Sequence, residues 1–468
     1  MNYTNKNILV MGLGVHGGGL GVARFMAREG ANVRVTDLRT ADKMQDSIDA
    51  LAEEGLRIDY TLGEHLEDDF RWADVVVKNP AVPRDSPWMQ LARSLGKPIE
   101  MEISIFLRLC PAPVIGVTGT KGKSTTATWT WEMLRHWRSD AVLAGNLRVS
   151  ALEALSRISP DTPVVLELSS WQLEGLEEPG LSPHIGAVTN LSPDHMDRYD
   201  GMEDYGEAKR LIFANQHKEN DDWAVLNSDD PIVSQWSGVA PAGVAWFGKS
   251  TSALGFPGMS ISSDVLVWHG PDGGATQVAA YSDIQVPGEH NRANAACAAT
   301  LALLAGAPMD AIRKGLRSFR GVPDRLEYLR TVDGVRFYND TTSTTPASTM
   351  AAVKSLDGPI VLIAGGADKG LDFADLAPVV ASHTASVALL EGTATPLMEG
   401  QFLRAGVNLL GRYSVFEEAV LAAWQASPPG GAVLLSPATA SFGMFRNEFD
   451  RGDQFRAIVA SLVENPPA

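Results

Sequence analysis

The sequence predicts an α/β protein of three domains: a Rossmann-like N-terminal domain, a P-loop-type central domain and a Rossmann-like C-terminal domain. Three observations predict it. Short apolar runs alternate with helical stretches along most of the chain, the mark of parallel sheets covered by helices. Two glycine-rich loops, "GLGVHGG" from Gly12 and "GVTGTKGKSTT" from Gly116, each follow such a run and open a helix. The 468 residues exceed what one core organises, since domains run at about 150 residues each.

The first domain is placed at residues 1–101. "NILVMGL" reads as a strand, "GVARFMAREG" as a helix, "NVRVTD" as a strand, and "ADVVVKNP" as a strand ending in a Pro-bearing turn. Together they make a doubly wound parallel unit. The second domain, 102–320, opens with "APVIGVTGTKGKSTT" and continues through "TPVVLELSS" and "IGAVTNLSP". Such uninterrupted apolar runs suit strands buried on both faces. The stretch 236–290, with "VLVWHG" and "TQVAAY", is expected to form a small β subregion, before "NRANAACAATLALLAG" returns to helix. The third domain, 321–468, begins near "GVPDRLEYL". In it "PIVLIAGGADKG" and "GAVLLSPATA" are strands running into Gly- or Pro-bearing turns.

Composition narrows the function classes. A net charge of −17 and a pI of about 5.0 argue against a sequence-independent grip on nucleic acid, which needs a basic footprint. Small anionic ligands remain compatible, because a few local cations or N–H groups hold them. No basic-then-apolar leader is present, and the apolar runs fall far short of the roughly 20 residues of a membrane span, so no membrane insertion is expected. Only Cys110 and Cys297 occur, without a C-x-x-C pair. Neither a disulfide framework nor a zinc site is supported, and a reducing cytoplasm is the expected compartment.

The two loops carry the chemistry. Gly12, Gly14 and Gly17 spell G-x-G-x-x-G, a cradle in which N–H groups and a helix N-terminus meet a diphosphate. In a nicotinamide or flavin enzyme the ligand is a dinucleotide, and Asp37, 20 residues past Gly17, takes its ribose. The second loop runs through Gly119, Thr120, Lys121, Gly122, Lys123, Ser124 and Thr125. Its backbone N–H groups cradle phosphates, Lys123 neutralises their charge, and the Ser124 hydroxyl reaches Mg²⁺. Val117 stands where the strict P-loop has its first glycine. A plain glycine turn is the alternative; the strand–loop–helix setting favours an ATP site.

The second loop resembles the T-G-T-x-G-K-[ST]-[ST] loop of the Mur ligase family. The resemblance continues through "ELSSWQLE", "TNLSPDHMDRY", "YGEAKRLIF", "LNSDDP", "PGEHNRANAACA", "GVPDRLE", "GGADKG" and "SPATASFGMFRNEFDRG", in family order along the whole chain. It implies an ATP- and Mg²⁺-dependent amide ligase of cytoplasmic peptidoglycan precursor synthesis, acting as a monomer. The branch it most resembles joins glutamate, D preferred, to UDP-N-acetylmuramoyl-L-alanine through an acyl phosphate. No D-N-P-R motif is present, which supports glutamate over diaminopimelate.

The resemblance also implies roles. Glu167 and His195 would hold Mg²⁺, together with Ser124 and with Lys209 in carbamylated form, while Asp194 supports His195. On its own residues Lys209 reads as a solvated helix lysine, and the carbamate requires a depressed pKa, because only the neutral amine takes up CO₂. Asn146, Asn294, Arg325 and Asp340 match positions around ATP, which the family holds between its second and third domains. Gly14, Val15, His16, Gly17, Asp37, Asn79 and Pro80 match the UDP-sugar site. Thr344, Lys369, Ser441 and Phe449, with Glu448 beside it, match the amino-acid pocket.

Four departures stand out. Thr342 replaces a lysine in "NDTTSTTP", Asp324 a histidine in "GVPDRLE", and "GNLR" the usual Gly-Asn-Ile-Gly. "KNPAVP" replaces a Ser-Pro-Gly, putting Lys78 and Asn79 in line for a contact to UDP or muramic acid. Three other readings remain to weigh: the same ligation with L-glutamate, an NAD-dependent oxidoreductase, and a non-catalytic partner subunit. The oxidoreductase leaves the P-loop unexplained. The partner subunit predicts loss of Lys123, Glu167 or His195, all of which are present.

Overall fold

A computed structural model describes residues 3–13, 18–146, 150–196, 198–255, 257–286 and 288–463. The chain divides into two compact units, Met1–Phe319 and Arg320–Ala468. The first unit carries two sheets and the second carries one.

The first sheet has five parallel strands, β1 (Asn7–Met11), β2 (Asn32–Asp37), β3 (Ile58–Leu62), β4 (Val75–Lys78) and β5 (Ile99–Glu100), in the order β3-β2-β1-β4-β5. The strand order reverses at β1, where Ile8 lies between Val33 of β2 and Val75 of β4. A doubly wound sheet binds its ligands at the carboxyl end of that reversal. Helix Gly18–Arg28 starts there.

The second sheet has nine strands: β6 (Val114–Thr118), β7 (Val142–Gly145), β8 (Val164–Glu167), β9 (Ile185–Val188), β10 (Trp223–Asn227), β11 (Gly243–Gly248), β12 (Gly258–Ile261), β13 (Val265–His269) and β14 (Ala275–Ala280). Their order is β14-β13-β12-β11-β10-β9-β6-β8-β7. "VIGVT", "VVLE" and "IGAV" are buried at every position, as central parallel strands require. The β subregion expected at 236–290 holds the strands β11 to β14. β11 pairs parallel onto β10 and β12 onto β11, and β13–β14 add antiparallel, so the stretch extends the central sheet. One core serves both sheets of this unit, including Ile8, Val10 and Val35 of the first and Val114, Leu166 and Val188 of the second.

The second unit has six strands, β15 (Glu327–Val332), β16 (Val335–Asn339), β17 (Ile360–Ala364), β18 (Thr384–Leu390), β19 (Leu409–Tyr413) and β20 (Ala432–Leu435). Their order is β15-β16-β20-β17-β18-β19, parallel except for the β15–β16 hairpin. Its two faces bury separate clusters, one around Phe337, Val433 and Phe455, the other around Leu362, Leu389 and Phe402. No helix among the described residues is long and apolar enough to cross a membrane.

Candidate active site

The phosphate loop leaves the carboxyl end of β6 and runs into helix Lys123–Arg135. Gly119 and Gly122 hold positive φ angles of 140° and 82°, which suit glycine. Space excludes a side chain as well: a Cβ on Gly119 would lie 1.9 Å from Thr189 Oγ1, and one on Gly122 2.4 Å from Asn294 Oδ1. The segment after β9 braces the loop. Thr120 N–H donates to the Asn190 carbonyl at 3.0 Å. Lys121 N–H donates to Asn190 Oδ1 at 2.9 Å, while Thr189 Oγ1 and Asn190 Nδ2 both donate to the Lys121 carbonyl. Thr189 and Asn190 carry no role in the sequence reading, because nothing local marks a residue that braces a loop 70 positions earlier. Asn294 is buried beneath the loop, donating to Asn291 and accepting from Thr126.

Two lysines converge on one oxygen. Lys123 Nζ donates to the carbonyls of Gly119 and Thr120 at 3.1 and 2.9 Å, and Lys209 Nζ donates to the same Gly119 carbonyl at 2.8 Å. The reading of Lys209 as solvated is corrected: it is 1% exposed, with Nζ 4.6 Å from the centroid of the Tyr205 ring. Burial, reinforced by the Lys123 charge and partly opposed by Asp194, pulls its pKa down to about 7. The neutral amine is therefore well populated near neutrality.

Glu167 ends β8 and is 1% exposed. Its Oε1 accepts from Asn146 Nδ2 at 3.2 Å, and its backbone carbonyl accepts from Asn146 N–H. Its Oε2 is buried without a hydrogen-bond partner. Buried carboxylate oxygens ordinarily have partners, so this one is open to a cation. Among the described residues no three His, Cys, Asp or Glu side chains cluster as metal ligands. One carboxylate, the Ser124 hydroxyl in the first turn of helix Lys123–Arg135 and phosphate oxygens would fit the oxygen-rich, partly protein-supplied shell of Mg²⁺. His195 is exposed on a left-handed turn with φ 54°, its ring 5.4 Å from Trp171 and 6.4 Å from Tyr205. Asp194 caps the His195 N–H and lies 3.7 Å from Lys121 Nζ.

At the first sheet, Gly14, Val15, His16 and Gly17 lie outside the described residues. Gly12 approaches Asn79 so closely that a Cβ would stand 2.9 Å from that residue's own. Asp37 is buried and accepts the N–H groups of Leu13 and Arg39, so it anchors the entry to the glycine loop. Asn79 accepts from Ala81 N–H, and the Pro80 carbonyl accepts from Arg198. Lys78 turns inward: 4% exposed, it donates to the Val82 carbonyl, and burial lowers its pKa to about 8.

In the second unit, the loops after the adjacent strands β16, β20 and β17 are stitched together. Ala438 N–H donates to the Ser343 carbonyl, Gly365 N–H to Pro437, and Ala367 and Ala440 exchange a pair of bonds. This brings Thr344, Lys369 and Ser441 to one edge of the sheet, and Lys369 Nζ lies 3.3 Å from Thr344 Oγ1. Ser441 Oγ is buried without a partner, and Phe449 is half-buried in the first turn of helix Glu448–Ser461. Asp340 is buried, accepting from Leu326 N–H and Ser436 Oγ, and burial raises its pKa to about 6, against the pull of exposed Arg325. Asp324 is fully buried at φ 65°, bound to Asn339 and Arg456. At this position the aspartate is part of the scaffold. Arg451, unmarked by the sequence reading, is fully buried and clasps Thr341 through Nε and Nη2.

A glycine-rich phosphate loop at the carboxyl end of a mainly parallel sheet, with the open oxygen of a buried carboxylate on a neighbouring strand, has the features of a nucleotide-triphosphate-using enzyme. The chain belongs to the Mur ligase family. Family models match at residues 6–100 (Mur ligase MurD-like, N-terminal domain), 117–302 (Mur ligase middle domain) and 324–439 (Mur ligase, glutamate ligase domain). The UDP-N-acetylmuramoylalanine--D-glutamate ligase of Roseiflexus sp. (strain RS-1) is 50% identical over 470 residues, covering 99% of this chain and 100% of the relative. The protein of that name from Symbiobacterium thermophilum is 38% identical, covering 97% of each. Among solved structures, UDP-N-acetylmuramate-alanine ligase from Thermotoga maritima shares the fold with a TM-score of 0.58 at 20% identity, covering 98% of this chain and 100% of that one.

Proposed function

We propose that the protein joins D-glutamate to the alanyl carboxylate of UDP-N-acetylmuramoyl-L-alanine, at the expense of ATP, in peptidoglycan precursor synthesis. A carboxylate oxygen of the alanyl group attacks the γ-phosphorus, the bond to the β-phosphate oxygen breaks, and ADP leaves. The glutamate amine then attacks the acyl carbonyl, the carbon–oxygen bond to phosphate breaks, and the nitrogen sheds a proton. Every reactant is anionic, so the protein must meet charge where it develops.

The observation that carries this reading is the phosphate loop, closed to side chains at Gly119 and Gly122, beside the open Oε2 of Glu167. Loop N–H groups and Lys123 would hold the phosphates. Glu167, Ser124 and His195 would hold Mg²⁺, which supplies Lewis-acid charge neutralisation at the γ-phosphate. The depressed Lys209 amine supports carbamylation, its carbamate adding a further anionic oxygen ligand. Asp340, Arg325, Asn146 and Asn294 would contact ATP. Residues 1–101 would receive the UDP-sugar, with Asn79 and Pro80 beside the glycine loop, and residues 321–468 the glutamate, on Lys369, Thr344, Ser441 and Phe449. A monomer in the cytoplasm completes the reading.

Phosphate release tests it, with ATP, Mg²⁺, the muramoyl substrate and D-glutamate omitted one at a time. Release is expected to need all four; release without the muramoyl substrate overturns the reading. Turnover with L-glutamate exceeding that with D-glutamate overturns the stereochemical part.

A further inference from the structure

Arg198 follows the His195 turn in "DHMDRY" and joins the first two sheets. Its guanidinium donates to Glu174 Oε2 at 2.9 Å, to the Pro80 carbonyl at 3.1 Å and to the Ala81 carbonyl at 3.4 Å. It also lies 4.4 Å from the centroid of the Trp171 ring, and the same ring stands 5.4 Å from the His195 imidazole. One side chain therefore touches the turn after β4, a buried carboxylate and the aromatic platform of His195.

The surroundings hold this arrangement to one geometry. The side chains of Arg198 and Glu174 are 14% and 2% exposed, and Tyr199 Oη donates to the second oxygen of Glu174 at 2.7 Å. Breaking so sequestered a pair leaves an uncompensated charge. A planar fork reaches acceptors on two elements while stacking on a ring; an ammonium reaches fewer and does not stack in that way. The neighbouring pairs Arg84–Asp204 and Arg93–Glu178 join the same two regions but are more exposed. Exposed pairs add little.

We propose that Arg198 is a positioning residue, fixing the His195 imidazole relative to the turn that receives the muramoyl substrate by clasping the Pro80 and Ala81 carbonyls and stacking on Trp171. The assignment rests on the function proposed above. It predicts that loss of the guanidinium harms the muramoyl site and the chemical step and leaves the nucleotide site alone.

Two variants of the full chain test it, Arg198→Lys and Trp171→Leu. Calorimetric titration with UDP-N-acetylmuramoyl-L-alanine, without ATP, reads the first site; kcat, the KM for ATP and Tm read the rest. Arg198→Lys is expected to weaken muramoyl binding about tenfold and lower kcat about 10- to 100-fold, with the KM for ATP within about twofold. Trp171→Leu keeps the clasp on the carbonyls, so it is expected to lower kcat about tenfold with muramoyl binding within about threefold. Wild-type kcat and muramoyl affinity in Arg198→Lys overturn the proposal. So does a loss confined to Tm and to the active fraction, as a purely structural role would give. If Arg198→Lys does not fold, Trp171→Leu decides, and an unchanged kcat overturns the proposal. A wild-type protein that does not bind the muramoyl substrate overturns the function reading itself, and this assignment with it.

Discussion

Replacing Lys209 with methionine should abolish turnover and yet make the nucleotide-free protein more stable. Lys209 is 1% exposed and holds its proton only to about pH 7, against 10.5 for an ordinary lysine. Between those values the unfolded chain binds a proton that the folded one does not, so stability rises with pH across that window. Below about pH 7 both states carry the charge and the full penalty of the buried ammonium is present. At about 1.4 kcal/mol per tenfold, the gap corresponds to roughly 4 kcal/mol at pH 7. Relaxation around the site reduces that to about 2–3 kcal/mol. Methionine fills the space without a charge and gives up one hydrogen bond to Gly119, worth about 1 kcal/mol. A net gain of about 1–2 kcal/mol at pH 7 follows, shrinking toward zero or below by pH 10. Tm and urea unfolding in CO₂-free buffer at pH 6 to 10 measure it. A variant no more stable than wild type at pH 7, with the same pH slope, refutes the reasoning.

Three further predictions concern the site. Glu167→Gln replaces the open oxygen with an amide and should lower turnover by about 10³-fold without loss of Tm, as expected for a group worth several kcal/mol to a metal-bound transition state; turnover within tenfold of wild type removes Glu167 from that role. Gly122→Ala pushes a methyl to within 2.4 Å of Asn294 Oδ1 at a φ of 82°, so it should cost about 1–3 kcal/mol and raise the Kd for ATP; calorimetry showing unchanged ATP affinity contradicts it. Asp340 keeps its proton to about pH 6 rather than 3.8, so in wild type its share of stability declines as pH rises from about 4 to 6. Asp340→Asn should flatten that decline in thermal melts and raise the KM for ATP about tenfold; an unaltered KM argues against a nucleotide contact.

Much of the architecture was legible because parallel strands buried on both faces must be apolar throughout. "NILVM", "VVLE" and "IVLIA" declare themselves. β3, "IDYTL", is only partly buried, and β5 is two residues long, so neither carries such a signature. Strand character at 265–280 was legible too, while its sheet was not, because pairing of β12 onto β11 depends on residues remote from that stretch. At the site, the glycines of the phosphate loop and the position of Glu167 follow from local pattern. The burial of Lys209 does not: its helix, "MEDYGEAKR", is strongly polar, and the carbonyl that receives its Nζ lies 90 residues earlier. Asp324 shows in the sequence only as a departure from the family's histidine, and its contact with Arg456, 132 positions on, makes it part of the scaffold.

The Gly119 carbonyl, shared by Lys123 and Lys209, couples the two ammonium groups. The charge of Lys123 helps keep Lys209 unprotonated. A phosphate chain that neutralises Lys123 removes that repulsion and raises the proton affinity of Lys209. Linkage is reciprocal, so on the proposed roles protonation of Lys209 and phosphate binding favour one another, and uptake of CO₂ by the amine is favoured ahead of the phosphates. Under the proposed function, the nucleotide-free protein is then the form whose amine is most open to CO₂. On that proposal, a carbamate formed there would precede the nucleotide and stand ready for the metal accompanying it.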